Sequence, residues 1–482
     1  MCGITAVFSK EEDIFLDLYE SLYHLQHRGQ DSFGFSYFDD NGKILLIKQQ
    51  GLLSNTNYNG TPTNIGIGHV RYPTKGKNTI NECQPLFLRG TFHTISIVHN
   101  GQVQIESIKE YLKDFGVEIN QSITSDSSYL LYILGYLLNR YEVLNDGIII
   151  EIIKCIQKIV KGSFNCICLI EGYGLICFKD KYSIRPLILG KNGENTIISS
   201  ESISITSIEY EVINDIYGND IIIFNKGESQ YRKLITGEDP LVYFKPCIFE
   251  WVYLAREESI IYNVNVYQAR LKMGEFLSEK IKRTIDTKLI DCVVPIPDTS
   301  RPIAMEVSKN LQKPYSEAIT KNRYVNRTFI MNSQEKRKKN IKRKLNVIQH
   351  LIQGKNILII DDSIVRGNTI KHIINLLKDY QVNKIYIAIS SPKIINTNKF
   401  GIDIPTKEEL ICFQKTNQEI EHDLGVEKLI FQDLSDLEKS IPIQRSSYQD
   451  FEKSIFYNDL DKESIEVDRE LRRSSRLKSV IH

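Results

Sequence analysis

Short apolar runs dominate the hydrophobic pattern of the first half of the chain. Residues 2–8 and the later runs ILLIK, IGIGHV and ISIVHN have the length and composition of strands. Helical spacing links Phe15 to Leu25 and returns from about 126 to 161, after which FNCICLI, GLICFK, PLILG, TIISS and DIIIF again indicate strands. Runs of strands on either side of a helical layer predict two packed sheets covered by helices, which is a layered α+β architecture.

The pattern changes near residues 235–245, where strands and helices begin to alternate. A helix with a regular apolar face near 266–282 precedes the strands CVVPIP (292–297), ILII (357–360) and KIYIAIS (384–390), with further helices between them. Alternation of this kind predicts an α/β fold with a mostly parallel sheet. We therefore expect three segments: a first domain over 2–235, a second over 236–445, and a charged, flexible tail over 446–482.

Composition narrows the class of protein further. The 482 residues carry a formal net charge of +1, so nothing in the overall charge favours a nucleic acid or an anionic membrane as partner. The longest apolar stretch, at 129–138, is shorter than the roughly 20 residues of a membrane helix. Nine scattered cysteines and the lack of a secretory signal predict free thiols in the cytoplasm.

The most informative stretch of the second half is ILIIDDSIVRGNTIKHIINLL. An apolar strand ends in Asp361 and Asp362, a loop of small residues follows, and Thr369 opens a helix with an apolar face. Backbone N–H groups at a helix start bind anions of phosphate size. The two carboxylates suit either hydrogen bonds from vicinal sugar hydroxyls or a magnesium ion.

This arrangement resembles the phosphoribosyl diphosphate (PRPP) fingerprint of type I phosphoribosyltransferases, and DDSIVRG is the form found in amidophosphoribosyltransferases. VVPIPDTSRP (293–302) is similar to the pyrophosphate loop of that family, and KNRYVNRTFI (321–330) to its mobile lid. The resemblance implies that Mg²⁺ is associated with Thr299, Asp361 and Asp362. It implies the following PRPP-binding residues: Asp361, Asp362, Ser363, Arg366, Gly367, Thr369, Lys321 and Arg323.

The amino terminus carries a second kind of chemistry. Removal of Met1 would leave Cys2 with both a thiol and a free α-amino group, a nucleophile and a general base in one residue. The motifs HRGQDSFG (27–34), GHVRYPTKG (68–76), VHNGQV (98–103) and TSDSSYL (124–130) resemble those of class II glutamine amidotransferases, which are amino-terminal-nucleophile hydrolases. By that resemblance the first domain has their layered αββα fold.

The same resemblance assigns roles around the glutamine substrate. Arg71 would pair with the α-carboxylate of glutamine and Asp126 with its α-ammonium group. Asn100 and Gly101 would form the oxyanion hole, through a side-chain amide and a backbone N–H respectively.

Together the two halves imply a glutamine-dependent amidophosphoribosyltransferase. Such an enzyme converts glutamine, PRPP and water to 5-phosphoribosylamine, glutamate and pyrophosphate, and ammonia passes internally between the sites. The resemblance also implies a homotetramer with purine nucleotides as feedback inhibitors. Some relatives carry an iron–sulfur cluster on four cysteines near the end of the chain, but only Cys247, Cys292 and Cys412 follow the boundary here, so we expect no cluster.

Two alternatives remain open from the sequence. Another class II amidotransferase would need a sugar-isomerase or ATP-pyrophosphatase second domain, which DDSIVRG and PIPDTS disfavour. A regulatory PRPP-binding protein without catalysis would leave Cys2 and its accompanying motifs without a purpose. Asn326 and Asn332 stand where the family lid has glycine and proline, and they could alter how the lid closes.

Overall fold

The computed structural model describes residues 2–10, 12–53, 62–72, 80–117, 125–225, 228, 230–237, 243–322, 345–404, 406–443 and 450–457. We refer to residues 2–237 as the amino-terminal half and to residues 243–457 as the carboxyl-terminal half. Arg323, Asn326 and Asn332 lie outside the described residues, as does most of the predicted lid.

Two antiparallel sheets form the centre of the amino-terminal half. In chain order its strands are β1 (Gly3–Phe8), β2 (Ser32–Phe38), β3 (Ile44–Gln50), β4 (Ile65–Arg71), β5 (Leu86–Leu88), β6 (Ile95–Val103), β7 (Gly162–Ile170), β8 (Gly174–Lys179), β9 (Ile188–Asn192), β10 (Asn195–Ser199), β11 (Glu211–Asp215), β12 (Asp220–Asn225) and β13 (Arg232–Ile235). Its helices are α1 (Phe15–His24), α2 (Ile105–Asp114), α3 (Asp126–Leu138), α4 (Asp146–Ile159) and α5 (Ile203–Thr206).

The strand order is β11-β9-β10-β1-β4-β2-β3 in the first sheet and β13-β12-β8-β7-β6-β5 in the second. Alternate residues of β1 explain the layering: Ile4 and Ala6 pack between the two sheets, and Val7 packs under α1. Helices α2, α3 and α4 cover the outer face of the second sheet. The predicted αββα layering is therefore present, with β1 at the centre of its sheet.

The carboxyl-terminal half contains a parallel sheet between helices. Its strands are β14 (Ile260–Ile261), β15 (Val264–Asn265), β16 (Cys292–Pro295), β17 (Ile319–Lys321), β18 (Leu345–Val347), β19 (Asn356–Asp361), β20 (Lys384–Ile389) and β21 (Lys428–Phe431). Its helices are α6 (Val266–Thr284), α7 (Arg301–Leu311), α8 (Asn368–Asp379), α9 (Asn417–Leu424) and α10 (Leu434–Lys439), after a π-helical turn at Glu250–Leu254.

The order β16-β19-β20-β21 is parallel throughout. One face of this sheet packs on α6 and α7 and the other on α8 and α9, which explains why these strands are apolar on both sides. Short 3₁₀ turns complete the described structure, at Gln26–Arg28, Ile80–Glu82, Thr287–Leu289, Gln349–Leu351, Lys407–Glu409 and Ser454–Phe456. Across the described ranges, no helix has both the length and the apolar composition needed to cross a bilayer.

Three details differ from the sequence predictions. Helix α2 was not predicted, because Ile108 and Leu112 are its only buried residues and its sequence is otherwise mostly polar. Helix α8 begins at Asn368, one residue before Thr369.

The third correction concerns the tail expected from residue 446. Residues 450–457 are packed rather than flexible, because Phe451, Ile455 and Phe456 are buried against the residues that join the two halves. The ring of Phe451 meets that of Trp251 edge to face at 6.1 Å between centroids. Residues 458–482 lie outside the described residues.

Candidate active sites

The Cys2 thiol lies at the start of the central strand of the first sheet. Gly3 pairs with Val70 of the antiparallel strand β4. The next residue on each strand is Cys2 and Arg71, respectively, so these two residues are neighbours across the strands. The thiol is half-buried, and its Sγ donates a hydrogen bond to the carbonyl oxygen of Tyr72 at 3.8 Å. This cysteine thus stands half-buried directly before the central strand, next to the end of β4.

The Arg71 guanidinium is buried at the end of β4. Its Nη2 atom lies 3.1 Å from Oε2 of Glu82, whereas its Nη1 atom has no hydrogen-bond partner among the described residues. A buried donor without a partner is costly, and a ligand carboxylate would supply one. The arrangement fits the predicted contact with the glutamine α-carboxylate.

Asn100 and Gly101 occupy the end of β6 with the properties of an oxyanion hole. The Asn100 side chain is wholly buried, and neither its oxygen nor its nitrogen has a hydrogen-bond partner in the described part of the chain. Gly101 has φ of 154°, and a Cβ atom there would lie 2.1 Å from the carbonyl oxygen of Ser163. Only glycine fits this position, and the neighbouring buried donor can serve a developing negative charge.

Asp126 opens α3 beside the same end of β6. Its Oδ2 accepts a hydrogen bond from the backbone N–H of Val103 at 3.1 Å, and its Oδ1 accepts one from Ser127 N–H at 2.8 Å. Since α3 and β6 are joined at this point, the carboxylate is held two residues beyond Gly101. Asp126 therefore lies beside the part of β6 that carries Asn100 and Gly101, whereas Arg71 ends β4 of the other sheet.

Sequence reasoning assigned no role to a buried polar group behind these residues. His99 Nδ1 lies 2.9 Å from Ser127 Oγ, which also accepts from Gln84 Nε2 at 3.0 Å. Gln84 Oε1 accepts the backbone N–H of His99 at 2.6 Å. Burial lowers the pKa of His99 against the opposing effect of Asp126, and burial beside Arg71 lowers the pKa of His69 well below its usual value. Both histidines stand inside the quoted motifs VHNGQV and GHVRYPTKG, which was the one signal that could have found them.

The second site lies at the carboxyl ends of β16 and β19, which are adjacent parallel strands. Asp361 ends β19 and Asp362 follows it, with Asp361 Oδ1 accepting the backbone N–H of Asp362 at 3.0 Å. Burial raises the pKa of both carboxyls, and for Asp361 the neighbouring Asp362 raises it further. Arg270 of α6 opposes this effect at Asp362. Two oxygen-donor groups that repel each other fit a hard divalent cation, which would relieve the repulsion.

The loop after Asp362 has the predicted small-residue geometry. Ser363 Oγ donates to Asp362 Oδ1 at 2.7 Å, and Gly367 caps α8 with φ of 77°. A Cβ atom at Gly367 would lie 2.4 Å from Cδ1 of Ile411, so the loop closely approaches the segment around that residue. Thr369 is exposed in the first turn of α8, and Arg366 Nε pairs with Glu409 Oε2 at 2.8 Å.

The pyrophosphate-type loop leaves β16 at the same edge of the sheet. Pro295 pairs with Ile360, and half-buried Thr299 lies in the turn that follows. The peptide bond between Pro297 and Asp298 is cis. Lys321 of β17 reaches this turn, with its Nζ atom 2.9 Å from Asp298 Oδ2. The described residues contain no cluster of three or more His, Cys, Asp or Glu side chains able to hold a metal, so a cation here would need substrate or water oxygens as well.

Comparisons with known proteins agree with both halves. The phosphoribosyl transferase domain family matches residues 263–399. Amidophosphoribosyltransferase from Pasteurella multocida (strain Pm70) is 39% identical over 469 residues, covering 95% of this chain and 92% of the relative. The enzyme of the same name from Haemophilus influenzae is 37% identical over 470 residues, covering 95% and 92%. A solved structure of glutamine PRPP amidotransferase from B. subtilis, complexed with ADP and GMP, gives a TM-score of 0.81 at 27% identity, covering 95% of this chain and 98% of that one.

The fold and these relatives thus define the class as an amino-terminal-nucleophile amidotransferase joined to a type I phosphoribosyltransferase. The chain belongs to the amidophosphoribosyltransferase family. It is a glutamine-dependent pentosyltransferase of de novo purine biosynthesis, which makes 5-phosphoribosylamine, glutamate and pyrophosphate from glutamine, PRPP and water.

Proposed function

We propose that Cys2 is the nucleophile of the glutamine half-reaction. After removal of Met1, the α-amino group of Cys2 would take the thiol proton, and the thiolate would attack the side-chain amide of glutamine. Ammonia leaves, and water then releases glutamate from the acyl-enzyme. The position of the thiol at the start of the central strand, beside the end of β4, supports this role.

Four further residues would hold glutamine during this reaction. Arg71 would bind the α-carboxylate and Asp126 the α-ammonium group. Asn100 and Gly101 would stabilise the oxyanion of the tetrahedral intermediate. The observation that carries the assignment is the wholly buried Asn100 carboxamide, whose polar atoms have no partner in the described structure.

The PRPP site would be shared among three segments. Backbone N–H groups of the loop containing Ser363 and Gly367, with Thr369, would bind the 5′-phosphate at the start of α8. Arg366 would contact the same substrate. Lys321 and Arg323 would meet the pyrophosphate group, where preplaced cations stabilise the charge that develops on the leaving group.

Asp361, Asp362 and Thr299 would hold Mg²⁺ with the substrate. When bound, that ion supplies charge neutralisation for the departing pyrophosphate. The two aspartates could equally accept hydrogen bonds from the ribose hydroxyls, since both roles use the same carboxylate oxygens. The mutual proximity of the two carboxyls and their raised pKa values support a divalent cation as their ligand.

Ammonia would pass from the first site to the second inside the protein. Gly401 supports this route, because a Cβ atom at that residue would lie 3.3 Å from the carbonyl carbon of Gly101. The segment around Gly401, which follows β20 of the parallel sheet, therefore reaches the proposed oxyanion hole. We propose domains over 2–235 and 236–445, with the latter followed by the packed residues 450–457.

Regulation and assembly are also proposals. The B. subtilis relative was solved with ADP and GMP, which supports purine nucleotides as feedback inhibitors of this chain. We propose a cytoplasmic homotetramer without an iron–sulfur cluster. Iron and sulfide analysis of anaerobically purified protein tests the last point, and one cluster per chain would overturn it.

Pyrophosphate release from PRPP tests the proposed chemistry as a whole. The purified protein should release pyrophosphate with either glutamine or ammonia as nitrogen donor, and chelation of Mg²⁺ should stop both reactions. Failure of both donors with Mg²⁺ present would overturn the proposed function. Release with ammonia alone would restrict the failure to the glutamine half.

A further inference from the structure

A buried row of four side chains with alternating charge crosses between the two halves of the protein. Its members are Glu201, Arg28, Glu250 and Arg185, and each is at most 3% exposed. Arg28 contacts Glu201 through Nε and lies 2.7 Å from Glu250 Oε2 through Nη2. Arg185 Nη1 lies 3.2 Å from Glu250 Oε1. Removing four charges from water is costly, so their order of alternating sign is needed for the fold to tolerate them.

Glu250 is the member of this row of charges that comes from the carboxyl-terminal half. It starts the π-helical turn Glu250–Leu254, whereas both of its arginine partners belong to the amino-terminal half. Each oxygen of its carboxylate holds a different arginine. A single side chain therefore fixes the distance between Arg28 and Arg185.

At one end of this row of charges, the segment that contains Arg28 lies against the backbone of Arg71. Gly29 follows Arg28, and a Cβ atom at Gly29 would lie 2.5 Å from the backbone nitrogen of Arg71. The backbone N–H of Asp31 donates to the carbonyl oxygen of Arg71 at 3.1 Å. Displacement of Arg28 would therefore displace the residue that we assign to the glutamine α-carboxylate.

The Arg185 end leads to the oxyanion hole. Arg185 Nε and Nη2 donate to the carbonyl oxygen of Phe400 at 3.1 and 2.6 Å, and Ser163 Oγ donates to the same oxygen at 2.7 Å. Ser163 Oγ in turn accepts the backbone N–H of Gln102 at 3.2 Å. The carbonyl oxygen of Ser163 faces Gly101, so this series of hydrogen bonds ends beside the proposed oxyanion hole.

We propose that Glu250 is a positioning residue for the glutamine half-reaction. Its carboxylate fixes the distance between the two sides of the proposed glutamine site. Through Arg28 it holds the segment that carries Arg71, and through Arg185 it holds the segment that carries Gly101. The inference rests on the proposed roles of Arg71 and Gly101. It adds to them that a residue outside the amino-terminal half sets the geometry of the glutamine site.

The test compares Glu250→Gln with the parent, with Glu421→Gln as matched control. Glu421 is a buried glutamate of the same half whose carboxylate contacts Lys428 rather than either arginine. Glu250→Gln should lower kcat/KM for glutamine by about tenfold to a hundredfold, as expected when reacting groups shift by about 1 Å. Ammonia-dependent pyrophosphate release should stay within about twofold of the parent, because the PRPP site is not touched. Glu421→Gln should leave kcat/KM for glutamine at the parent value.

A labelling measurement separates positioning from general loosening of the fold. Alkylation of Cys2 by iodoacetamide should proceed at the parent rate in Glu250→Gln, whereas labelling by a glutamine-analogue electrophile should slow, since only the analogue uses Arg71 and Gly101. Parent values of both kcat/KM and analogue labelling would overturn the inference. If the parent itself shows no glutamine-dependent activity, the proposed function fails instead.

A second variant decides the matter if Glu250→Gln also loses the ammonia reaction through misfolding. Ser163→Ala removes no charge and cuts the hydrogen-bond series between Phe400 and Gln102. It should lower kcat with glutamine and leave the ammonia reaction intact. A parent-like kcat with glutamine in Ser163→Ala would then overturn the inference.

Discussion

The side-chain hydroxyl of Ser163 donates a hydrogen bond of 2.7 Å to the main-chain carbonyl oxygen of Phe400. These residues belong to different halves of the protein and are 237 positions apart. Because the carbonyl oxygen of Ser163 also faces Gly101, a segment between β20 and β21 of the parallel sheet borders the proposed glutamine site. The two sites are thus built as parts of one packed unit, and variants should separate their chemistry without separating their folds.

Cys2→Ala should abolish glutamine-dependent pyrophosphate release and leave the ammonia-dependent reaction near the parent rate. The thiol is needed only to free ammonia from glutamine, which added ammonia bypasses. Both rates are measured with saturating PRPP and Mg²⁺. Cys155→Ala, which changes a half-buried cysteine of α4, should keep both reactions. Equal loss of both reactions in folded Cys2→Ala protein would contradict the division between the sites.

Asp361→Asn should lower pyrophosphate release by about 10–100-fold with either nitrogen donor. The substitution removes a carboxylate charge from the proposed cation and ribose site, and even changes to the outer-shell partners of metal ligands cost about 10–100-fold. The matched control is Asp379→Asn, at the exposed end of α8, which should retain parent rates. Preserved activity with ammonia in Asp361→Asn would remove this residue from the PRPP site.

Gly101→Ala should lower glutamine-dependent kcat by about 10²–10³-fold, the cost of losing one oxyanion donor. The added methyl group would meet the carbonyl oxygen of Ser163 at 2.1 Å, so the turn must move. Gly116→Ala is the control, because that glycine also has positive φ but has open space around its Cβ position. An active Gly101→Ala enzyme would show that the backbone N–H of Gly101 does not serve the oxyanion.

The stability of the protein should fall as the pH drops below about 6.5, in part through two buried histidines. Burial lowers the pKa of His69, with Arg71 and His99 lowering it further, and burial also lowers the pKa of His99 despite nearby Asp126. Below the unfolded pKa, the unfolded chain binds protons that the folded chain does not. Each histidine therefore reduces the free energy of unfolding by up to about 1.4 kcal/mol per pH unit, until its own folded pKa is reached.

Denaturant unfolding of His69→Leu between pH 5 and 7 measures this contribution. Leucine removes the titrating ring of His69 and keeps a side chain of similar size at this wholly buried position. In the variant, the free energy of unfolding should depend less steeply on pH than in the parent. The difference in slope should correspond to about one fewer proton bound on unfolding. His422→Gln, at an exposed position of α9, should keep the parent slope. An unchanged slope in His69→Leu would show that this histidine titrates normally in the folded protein.

Phe451→Ala should destabilise the protein by about 3 kcal/mol or more, since a buried phenylalanine is lost. Its ring lies against Trp251, in the apolar cluster between the halves. Phe92→Ala is the control, because Phe92 is 49% exposed and its loss should change the free energy of unfolding by much less. The midpoint and slope of denaturant unfolding report both values. Similar values for the two variants would argue against packing of residues 450–457.

Much of the fold could be predicted from local patterns. Strands β16, β19 and β20 are short apolar runs that end in polar turns, and such runs are buried on both faces in any parallel sheet. The candidate residues Cys2, Asp361 and Asp362 could be found because each stands beside a strand end in a distinctive local sequence. The chemistry of these residues depends on neighbours within a few positions, which is the range over which a sequence pattern carries information.

Other features depended on contacts between distant residues. Helix α2 is amphipathic but only ten residues long, and the side chains that bury Ile108 and Leu112 come from α3 and α4. Residues 450–457 have the sequence of a polar tail. Phe451 is buried because its ring packs against Trp251, which is distant in sequence. Nothing local to Glu250 shows that its carboxylate meets two arginines.

The sequence by itself determined the identity of the reactive groups and the order of most strands and helices. The tertiary structure alone decided which charges are buried together and which backbone segments lie against the proposed glutamine site. The physical reason is that ion pairing and close packing depend on distances between atoms far apart in the chain. The bonds from Glu250 to Arg28 and Arg185, 222 and 65 positions away, exist only once both halves have folded against each other.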